Sequence, residues 1–364
     1  MSDVITEVRG RVGFITLNRP QALNALSLSM IRALTASLLA WQKDDQVQAV
    51  AIRGSNKAGP FGAFCAGGDI RFFHQALLNG DPSTEEFFTE EYTLNHLIHS
   101  YTKPFIAFMD GVVMGGGMGI SQGASHRLVT ARTKMAMPET TIGLFPDVGG
   151  GYFLSRCPGA TGEWLALTGT TLGAGDAIAL GLADHCIDVQ QLDLAWDALG
   201  QLSVVDGPHI EAMIAMYSIS ACALLTSARG QIDHYFSLDT VVAMVQALEA
   251  DRSDWAQDTA ALLRKRSPLM LHVSLAQIRR ARSLTVAQDL RMERDMIRHV
   301  FFPAHLQRRA HQTEAAEGIR ALAIDKDHAP QWCPGRIEEV TPDMVLPFFD
   351  SPWPEHSHPL RALA

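Results

Sequence analysis

Two carboxylates set eight residues apart are the part of this chain best suited to chemistry. Glu139 and Asp147 lie in the run Met137–Gly151, among proline, apolar residues and glycine. Because burying an unpaired charge is unfavourable, carboxylates in such surroundings indicate a functional site. A second run, Asp110–Gly119, is rich in glycine and offers bare backbone amides to a ligand. Amides that bind an oxyanion, together with a carboxylate that attacks or moves protons, predict chemistry at a carbonyl group.

The elements around these runs predict an α/β fold. Gly13–Leu17 is typical of a strand, and Val47–Ile52 of a second one. Between them, apolar residues from Leu26 to Trp41 recur at helical spacing, and Ser27 is placed to cap that helix. A strand, a helix and a strand within about fifty residues indicate an α/β unit.

Beyond about residue 190 the pattern changes from strands to long helices. We therefore expect a core in residues 1–190 and a mostly helical C-terminal region in residues 191–364. Seven prolines in the last 35 residues indicate that this region ends in an extended tail.

Composition excludes several classes of protein. A formal net charge of −9 argues against a nucleic-acid binder, which usually carries a basic face. The five cysteines are scattered and form no Cys-x-x-Cys pair, so we expect neither a disulfide framework nor a zinc site. No apolar run is long enough to span a bilayer, and the first residues lack a signal-peptide pattern. We expect a cytoplasmic protein, or a mitochondrial matrix protein if a transit peptide has been removed.

Three motifs in register resemble the crotonase superfamily, also called the enoyl-CoA hydratase/isomerase family. They are Thr16–Ser27, Phe64–Ile70 (Phe-Cys-Ala-Gly-Gly-Asp-Ile), and Gly111–Gly119 together with Met137–Glu139. Three motifs in order are far more specific than one glycine pattern. The resemblance implies a crotonase-like spiral of ββα turns with flanking helices, which binds acyl-CoA thioesters and is often trimeric.

Further motifs resemble the branch of 3-hydroxyisobutyryl-CoA hydrolases within that superfamily. They are Phe87–Asn95, Pro138–Leu154 and Glu317–Asp327. This likeness implies hydrolysis of 3-hydroxyisobutyryl-CoA, or of a similar short 3-hydroxyacyl-CoA, in valine breakdown. Coenzyme A would then be part of the substrate, and no separate cofactor or metal is expected.

Two positions depart from the hydratases of the superfamily. Hydratases use two glutamates; one matches Glu139, and the other falls where this chain has Gly119. Conversely, hydratases have glycine where this chain has Asp147. The resemblance therefore implies a catalytic pair of Glu139 and Asp147. Glu139 either attacks the thioester carbon or activates water as a general base, and both routes stay open.

The resemblance also assigns an oxyanion hole to the backbone N–H groups of Ala66 and Gly116. Small residues allow close approach of a ligand, and Gly116 lies where a helix N-terminus adds positive potential. The alternative is that Gly115–Gly117 merely allows a helix to pack closely.

Local structure offers plainer roles for two of the acidic residues. Asp147 would be a simple helix N-cap before Gly149, a position that aspartate favours. Glu91, which matches a substrate-contacting glutamate of the hydrolase branch, would be a solvated residue on a helix.

Two further sets follow from the resemblance. The substrate would contact Glu91, Gly116, Glu139 and Asp147, and the CoA moiety would contact Ala25, Ala66, Gly67, Asp69 and Ile70. Two other functions stay open at this point: a hydratase or isomerase of the same fold, and a CoA-binding scaffold without catalysis. The Glu139/Asp147 pair argues against the scaffold.

Overall fold

The computed structural model describes residues 2–364 and divides the chain into two compact units. The first unit comprises Met1–Gly68, Thr93–Ala136 and Thr171–Thr226. The second unit comprises Asp69–Tyr92, Met137–Thr170 and Ser227–Ala364. The expected division at residue 190 is a single boundary, whereas each observed unit is assembled from three segments of the chain.

The strands all belong to the first unit. They are β1 (Val4–Arg9), β2 (Val12–Leu17), β3 (Ala49–Asn56), β4 (Gly59–Pro60), β5 (Phe105–Met109), β6 (Val112–Met114), β7 (His126–Val129), β8 (Lys134–Ala136), β9 (His185–Ile187) and β10 (Ser218–Ile219). The main sheet has the order β1-β2-β3-β5-β7-β9-β10, and β4 pairs with β3. Strands β6 and β8 form a separate parallel pair.

Helices occur along the whole described chain. They are α1 (Leu28–Lys43), α2 (Ile70–Asn79), α3 (Ser83–His99), α4 (Gly116–Gln122), α5 (Gly150–Leu154), α6 (Thr161–Thr168), α7 (Ala174–Ala179), α8 (Leu192–Leu199), α9 (Gly207–Tyr217), α10 (Arg229–Phe236), α11 (Val241–Ala250), α12 (Asp254–Leu263), α13 (Pro268–Ala281), α14 (Val286–Phe301), α15 (Glu314–Ile319) and α16 (Pro342–Val345).

Shorter helical turns join these elements. The 3₁₀ turns are Pro20–Ala22, Glu139–Ile142, Val189–Gln191, Leu225–Ser227, Ala304–Leu306, Ala310–Gln312, Ile337–Glu339, Leu346–Phe349 and Glu355–Ser357, and Arg320–Ile324 is a π-helical turn. Among residues 2–364, no helix is long and apolar enough to cross a membrane.

Parallel pairing organises the main sheet of the first unit. Strands β2, β3, β5, β7 and β9 run parallel to one another, while β1 and β10 close the two edges in antiparallel register. Every residue of β5 is buried, which fits a parallel sheet covered on both faces. The rings of Phe14, Phe61 and Phe108 meet the Trp196 ring at centroid distances of 4.7, 6.2 and 5.3 Å. Parallel strands alternating with helices confirm the predicted α/β class.

Aromatic packing fixes α2 and residues 83–92 of α3 in the second unit. The Phe73 ring lies 4.8 Å from Phe87 and 4.9 Å from Phe88, measured between centroids. Phe301, at the end of α14, lies 5.3 Å from Phe88. The buried guanidinium of Arg294 on α14 also pairs with Glu85 on α3. These contacts hold α3 firmly against α14, because close-packed rings tolerate little displacement.

The helix start predicted at Ser27 is confirmed. The Ser27 side chain accepts a hydrogen bond of 3.3 Å from the Met30 amide, and α1 begins at Leu28. The strand predicted at Gly13–Leu17 is β2, and the one predicted at Val47–Ile52 begins two residues later as β3.

Candidate active site

A buried asparagine of the first unit organises the loop that carries Ala66 and Gly67. The Asn24 side-chain amide donates to the carbonyls of Ala63 and Phe64 at 3.0 and 3.1 Å. The Leu26 amide donates to the Gly67 carbonyl at 2.8 Å. The Phe64–Gly67 loop is thereby fixed to the chain segment that precedes α1, and sequence reasoning gave Asn24 no role.

The same loop lies beside the first residue of α4. Gly67 has a φ of +105°, and a Cβ built there would lie 3.6 Å from the Gly116 nitrogen and 3.3 Å from the Met114 carbonyl oxygen. Glycine is needed here because a side chain would be strained in this conformation. The structure thus brings the Ala66–Gly67 loop and Gly116 together.

The two predicted oxyanion donors differ in availability. The Gly116 N–H is the first of α4, where a helix leaves its amides without internal acceptors, and no acceptor for it occurs within residues 2–364. The Ala66 N–H instead donates to the Leu23 carbonyl at 3.0 Å. The role of Ala66 stays a prediction, and it requires this bond to be shared or released when a ligand binds.

Close helix packing applies to Gly117. A Cβ on Gly117 would lie 2.3 Å from the Cys65 carbonyl oxygen, so only glycine fits. Packing and amide presentation are therefore divided between neighbouring glycines of one run.

In the second unit, three acidic residues interact with one another. Glu139 opens the 3₁₀ turn Glu139–Ile142, Asp147 follows in the loop before α5, and Glu91 projects from α3. Each has a pKa raised above its usual value, and burial is the largest cause in every case. Repulsion from Asp147 adds to the rise in the pKa of both Glu91 and Glu139. Such clustering of perturbed carboxyls is typical of functional sites.

Glu91 is a buried residue of this cluster. Its exposed fraction is 2%, so the interpretation as a solvated helix glutamate is wrong. Within the described residues its Oε1 atom has no hydrogen-bond partner. Tertiary packing of α3 buries this side chain, and local sequence contains no signal of that packing.

Glu139 shares this environment. Its exposed fraction is 6%, and within residues 2–364 its Oε2 atom has no hydrogen-bond partner. A buried carboxyl oxygen without a partner is unfavourable unless something else satisfies it. The arrangement fits a group that meets a ligand, because a raised pKa also makes the carboxylate a better proton acceptor.

Asp147 is bonded to a tyrosine and does not cap a helix. Its Oδ2 atom accepts a hydrogen bond of 2.7 Å from the Tyr92 hydroxyl. Helix α5 begins at Gly150 with Gly149 as its N-cap residue, and no side chain caps it. The capping interpretation is therefore wrong. Burial raises the pKa of Asp147 to about 6, and the Tyr92 hydrogen bond acts in the opposite direction.

Tyr92 is a functional candidate that sequence reasoning missed. It is fully buried, directly follows Glu91 on α3 and lies 55 positions from Asp147. Burial and the Asp147 charge raise the pKa of Tyr92 well above its usual value, so its hydroxyl stays protonated and donates. Its place within the Phe87–Asn95 motif is the only sequence signal, and that motif does not indicate the partner.

The residues predicted to contact CoA have defined structural surroundings. The Ala25 carbonyl accepts a hydrogen bond of 3.0 Å from Arg19 in the first unit. In the second unit Asp69 caps α2, since its Oδ1 atom accepts from the Phe72 amide at 3.3 Å, and Ile70 is the first residue of that helix. Contact of these residues with CoA stays a prediction. Within residues 2–364, no group of three or more acidic, histidine or cysteine side chains is arranged to hold a metal ion.

Comparison with known sequences links the chain to one family. A sequence profile described as enoyl-CoA hydratase/isomerase matches residues 12–349. A cattle (Bos taurus) protein named "3-hydroxyisobutyryl-CoA hydrolase, mitochondrial" is 36% identical over 356 residues, which cover 96% of this chain and 89% of the relative.

Solved structures carry different names on the same fold. One titled a carnitinyl-CoA dehydratase from Mycobacterium thermoresistibile has a TM-score of 0.87 and 36% identity, over 96% of this chain and 97% of its own. Another, titled an enoyl-CoA hydratase from Rhodobacter sphaeroides 2.4.1, has a TM-score of 0.84 and 35% identity, over 96% and 98%. These likenesses confirm the predicted crotonase-like fold over nearly the whole chain.

Proposed function

Because the chain belongs to the enoyl-CoA hydratase/isomerase family, we propose that it is an acyl-CoA thioester hydrolase. Its substrate is 3-hydroxyisobutyryl-CoA or a similar short 3-hydroxyacyl-CoA. The name and 36% identity of the cattle relative support this choice within the family. The proposal adds valine breakdown as the setting, and coenzyme A as part of the substrate with no separate cofactor.

One observation carries the proposal: Asp147 is a partly buried carboxylate held by Tyr92 beside Glu91 and Glu139. A residue that only capped α5 would bond to the first amides of that helix, whereas no side chain caps α5. The hydrolase branch differs from hydratases at this position, so the carboxylate serves the step in which the two reactions differ.

Glu139 performs the central step in one of two ways. As a general base it takes a proton from water, the water oxygen bonds to the thioester carbon, and the carbon–sulfur bond breaks. As a nucleophile it bonds to that carbon itself and expels the thiolate, and water then opens the resulting anhydride. In both routes the thiolate takes up a proton, and the products are free coenzyme A and the 3-hydroxy acid.

The thioester oxygen becomes negatively charged in both routes and needs hydrogen-bond donors. The Gly116 N–H is suited to this role because the first unit leaves it without an acceptor. The Ala66 N–H is the second proposed donor. Glu91 and Asp147 would orient the substrate hydroxyl group or the attacking water.

Hydration of an enoyl-CoA is the second candidate function. The titles of the two solved structures favour it. Against it stands Gly119, a buried residue of α4 that occupies the place of one of the two hydratase glutamates. Hydration would then have one glutamate, Glu139, for a reaction that uses two.

Thiol release separates the two candidates. The purified protein is incubated with 3-hydroxyisobutyryl-CoA, acetyl-CoA and crotonyl-CoA, and free thiol is titrated while the enoyl absorbance is followed. Hydrolysis predicts thiol from 3-hydroxyisobutyryl-CoA with slower release from acetyl-CoA. Loss of enoyl absorbance without thiol would contradict the proposal and support hydration.

Location and assembly are extensions of the same proposal. The word "mitochondrial" in the relative's name supports a matrix location, whereas the sequence alone favoured the cytoplasm. We propose a trimer because members of the superfamily are often trimeric, and light scattering coupled to gel filtration would test it.

A further inference from the structure

The turn that follows Asp147 has an unfavourable backbone conformation. Val148 has a φ of +58°, which is rare for a β-branched residue, and Gly149 follows with a φ of +87°. Strain of this kind persists only where the surrounding structure enforces it. The residues that enforce it must therefore lie around this turn.

Glu293 of α14 provides most of that enforcement. Its Oε2 atom accepts from the Gly149 amide at 2.7 Å, and its Oε1 atom accepts from the Gly151 amide at 2.9 Å. Gln277 of α13 joins the same network, donating to Glu293 Oε1 at 3.1 Å and to the Pro146 carbonyl at 2.6 Å. The backbone on both sides of Asp147 is thus tied to two fully buried side chains.

Asp289, one turn earlier on α14, completes the contact. Its Oδ2 atom accepts from the Tyr152 amide at 2.7 Å. A Cβ on Gly151 would lie 2.3 Å from Asp289 Oδ1, so this close approach requires glycine. Gly151 therefore allows the close approach of α14 to the turn.

We propose that Glu293, with Gln277, is a positioning residue for the reaction: it holds the Pro146–Tyr152 turn so that the Asp147 carboxylate meets the Tyr92 hydroxyl. The proposal rests on the proposed function in that Asp147 is taken to act on the substrate. Among residues 2–364, the Glu293 carboxylate forms hydrogen bonds with the turn, Gln277 and Asp289, and through the turn it acts on Asp147.

The electrostatic interaction between Glu293 and Asp147 supports a close link between these two carboxyl groups. Burial raises the pKa of Glu293 well above its usual value, and the charges of Asp289 and Asp147 raise it further. Burying an acidic side chain near other acidic groups is unfavourable, and an apolar side chain would fill the same volume without that cost. Glu293 is therefore more than a space-filling residue.

A double-mutant cycle tests whether Glu293 acts through Asp147. The proteins are wild type, Glu293→Gln, Asp147→Asn and the double variant, assayed for thiol release from 3-hydroxyisobutyryl-CoA. Glutamine keeps the shape of Glu293 but has one acceptor oxygen in place of two. We expect Glu293→Gln to lower kcat by about 10- to 100-fold, since small displacements of a reacting group have effects of that size, and to change KM by less than about threefold. In the Asp147→Asn background the same change should cost less than about twofold.

Asp295→Asn is the matched control. Asp295 lies two positions further along α14 and bonds to Ser351, away from the turn. It reports the effect of disturbing the helix alone. Equal losses of kcat for Glu293→Gln in both backgrounds, or a loss no larger than that of the control, would overturn the proposal.

Amide hydrogen exchange gives a readout that needs no catalysis. Exchange at Gly149 and Gly151 should become at least about tenfold faster in Glu293→Gln and stay unchanged in Asp295→Asn, because exposed amides exchange fastest. Unchanged exchange in Glu293→Gln would also overturn the proposal. The wild-type protein could release no thiol while amide exchange is faster in Glu293→Gln, as expected. That result would contradict the proposed hydrolysis and still support the role of Glu293 in holding the turn.

Gln277→Met is the second variant if Glu293→Gln does not fold. Methionine keeps the volume of Gln277 but loses the bond to the Pro146 carbonyl. The same two measurements apply, with effects in the same direction, and an unchanged kcat together with unchanged exchange would overturn the proposal.

Discussion

The Tyr92 hydroxyl donates a 2.7 Å hydrogen bond to the Asp147 carboxylate across 55 positions of the chain. This bond favours the ionised carboxylate, whereas burial disfavours it, and the pKa of Asp147 rests at about 6. The proposed role of Asp147 uses the ionised form. On the proposed mechanism, the Tyr92 hydrogen bond lowers the pH at which Asp147 becomes ionised.

Tyr92→Phe should shift the acidic limb of the pH–rate profile to higher pH. Removing a donor to the charged form raises the pKa of Asp147 above about 6. Turnover should fall most near pH 6 and recover towards pH 8. Tyr101→Phe is the control, because it removes a comparable bond of 2.8 Å to the Leu38 carbonyl in the first unit. An acidic limb at the same pH in Tyr92→Phe and wild type would refute the role of Tyr92.

Asp147→Asn should lower thioester hydrolysis by on the order of 10²-fold, a typical contribution of acid–base groups. CoA affinity, measured by calorimetry, should change little. Asparagine can still accept the Tyr92 hydrogen bond, so the fold should be kept. A variant with near-normal turnover would remove Asp147 from the mechanism.

Glu139→Gln should fold normally and lose most of its activity, because the isostere has neither a base nor a nucleophile. A single turnover of wild type in ¹⁸O-water then tests for the anhydride. If water opens it at the Glu139 carboxyl carbon, ¹⁸O enters that side chain and is detected by peptide mass spectrometry. General-base catalysis, like opening of an anhydride at the acyl carbon, places the label in the acid product alone. Near-normal hydrolysis by Glu139→Gln would exclude both routes.

Gly116→Pro should remove the free amide and lower kcat by about 10²-fold or more. Gly116 is the first residue of α4, where proline is tolerated, and circular dichroism would verify the fold. Gly117→Ala is the contrasting variant, since its Cβ would lie 2.3 Å from the Cys65 carbonyl oxygen. Gly117→Ala should lower the thermal stability of the protein more than it lowers kcat. A fully active Gly116→Pro enzyme would argue that Gly116 is not a donor.

Asp289→Asn should become more stable relative to wild type as pH rises from about 4 to 6. Burial raises the pKa of Asp289 to about 6 in the folded protein, against about 3.9 in an unfolded chain. Between these values the folded state holds a proton that the unfolded state releases, so wild-type stability falls as pH rises. The Asp289→Asn variant has no carboxyl group at this position, so this fall in stability does not occur in it. Urea unfolding at pH 4.5, 5.5 and 7 should show a relative gain of about 1–3 kcal/mol that levels off above pH 6. A gain that does not change with pH would contradict the assigned pKa.

Local patterns were enough to predict β2, β3, the first helix and its cap at Ser27, because those features depend on neighbours in sequence. The glycine loops were also predictable, and Gly116 lies beside Gly67 as expected. The surroundings of the acidic residues were not. Whether Glu91 is buried depends on how α3 packs, and the sequence around it is typical of an exposed helix.

The capping role suggested for Asp147 failed for a similar reason. The local sequence places aspartate shortly before a helix, yet Val148 and Gly149 adopt left-handed conformations and turn the chain away from that geometry. The side chain that fixes this turn, Glu293, lies 144 positions from Gly149. No local pattern in the sequence connects residues so far apart.

The same separation in sequence means that the Asp147 turn is synthesised before the residues that hold it. Pro146 and Gln277 are 131 positions apart, which corresponds to roughly 7–26 s of translation at 5–20 residues per second. Throughout that interval the nascent chain contains Glu91, Glu139 and Asp147 but lacks the side chains that hold the Asp147 turn. The turn can close only after α13 and α14 have left the ribosome. A message truncated before Gln277 would therefore yield a chain with every proposed catalytic carboxylate and no hydrolytic activity.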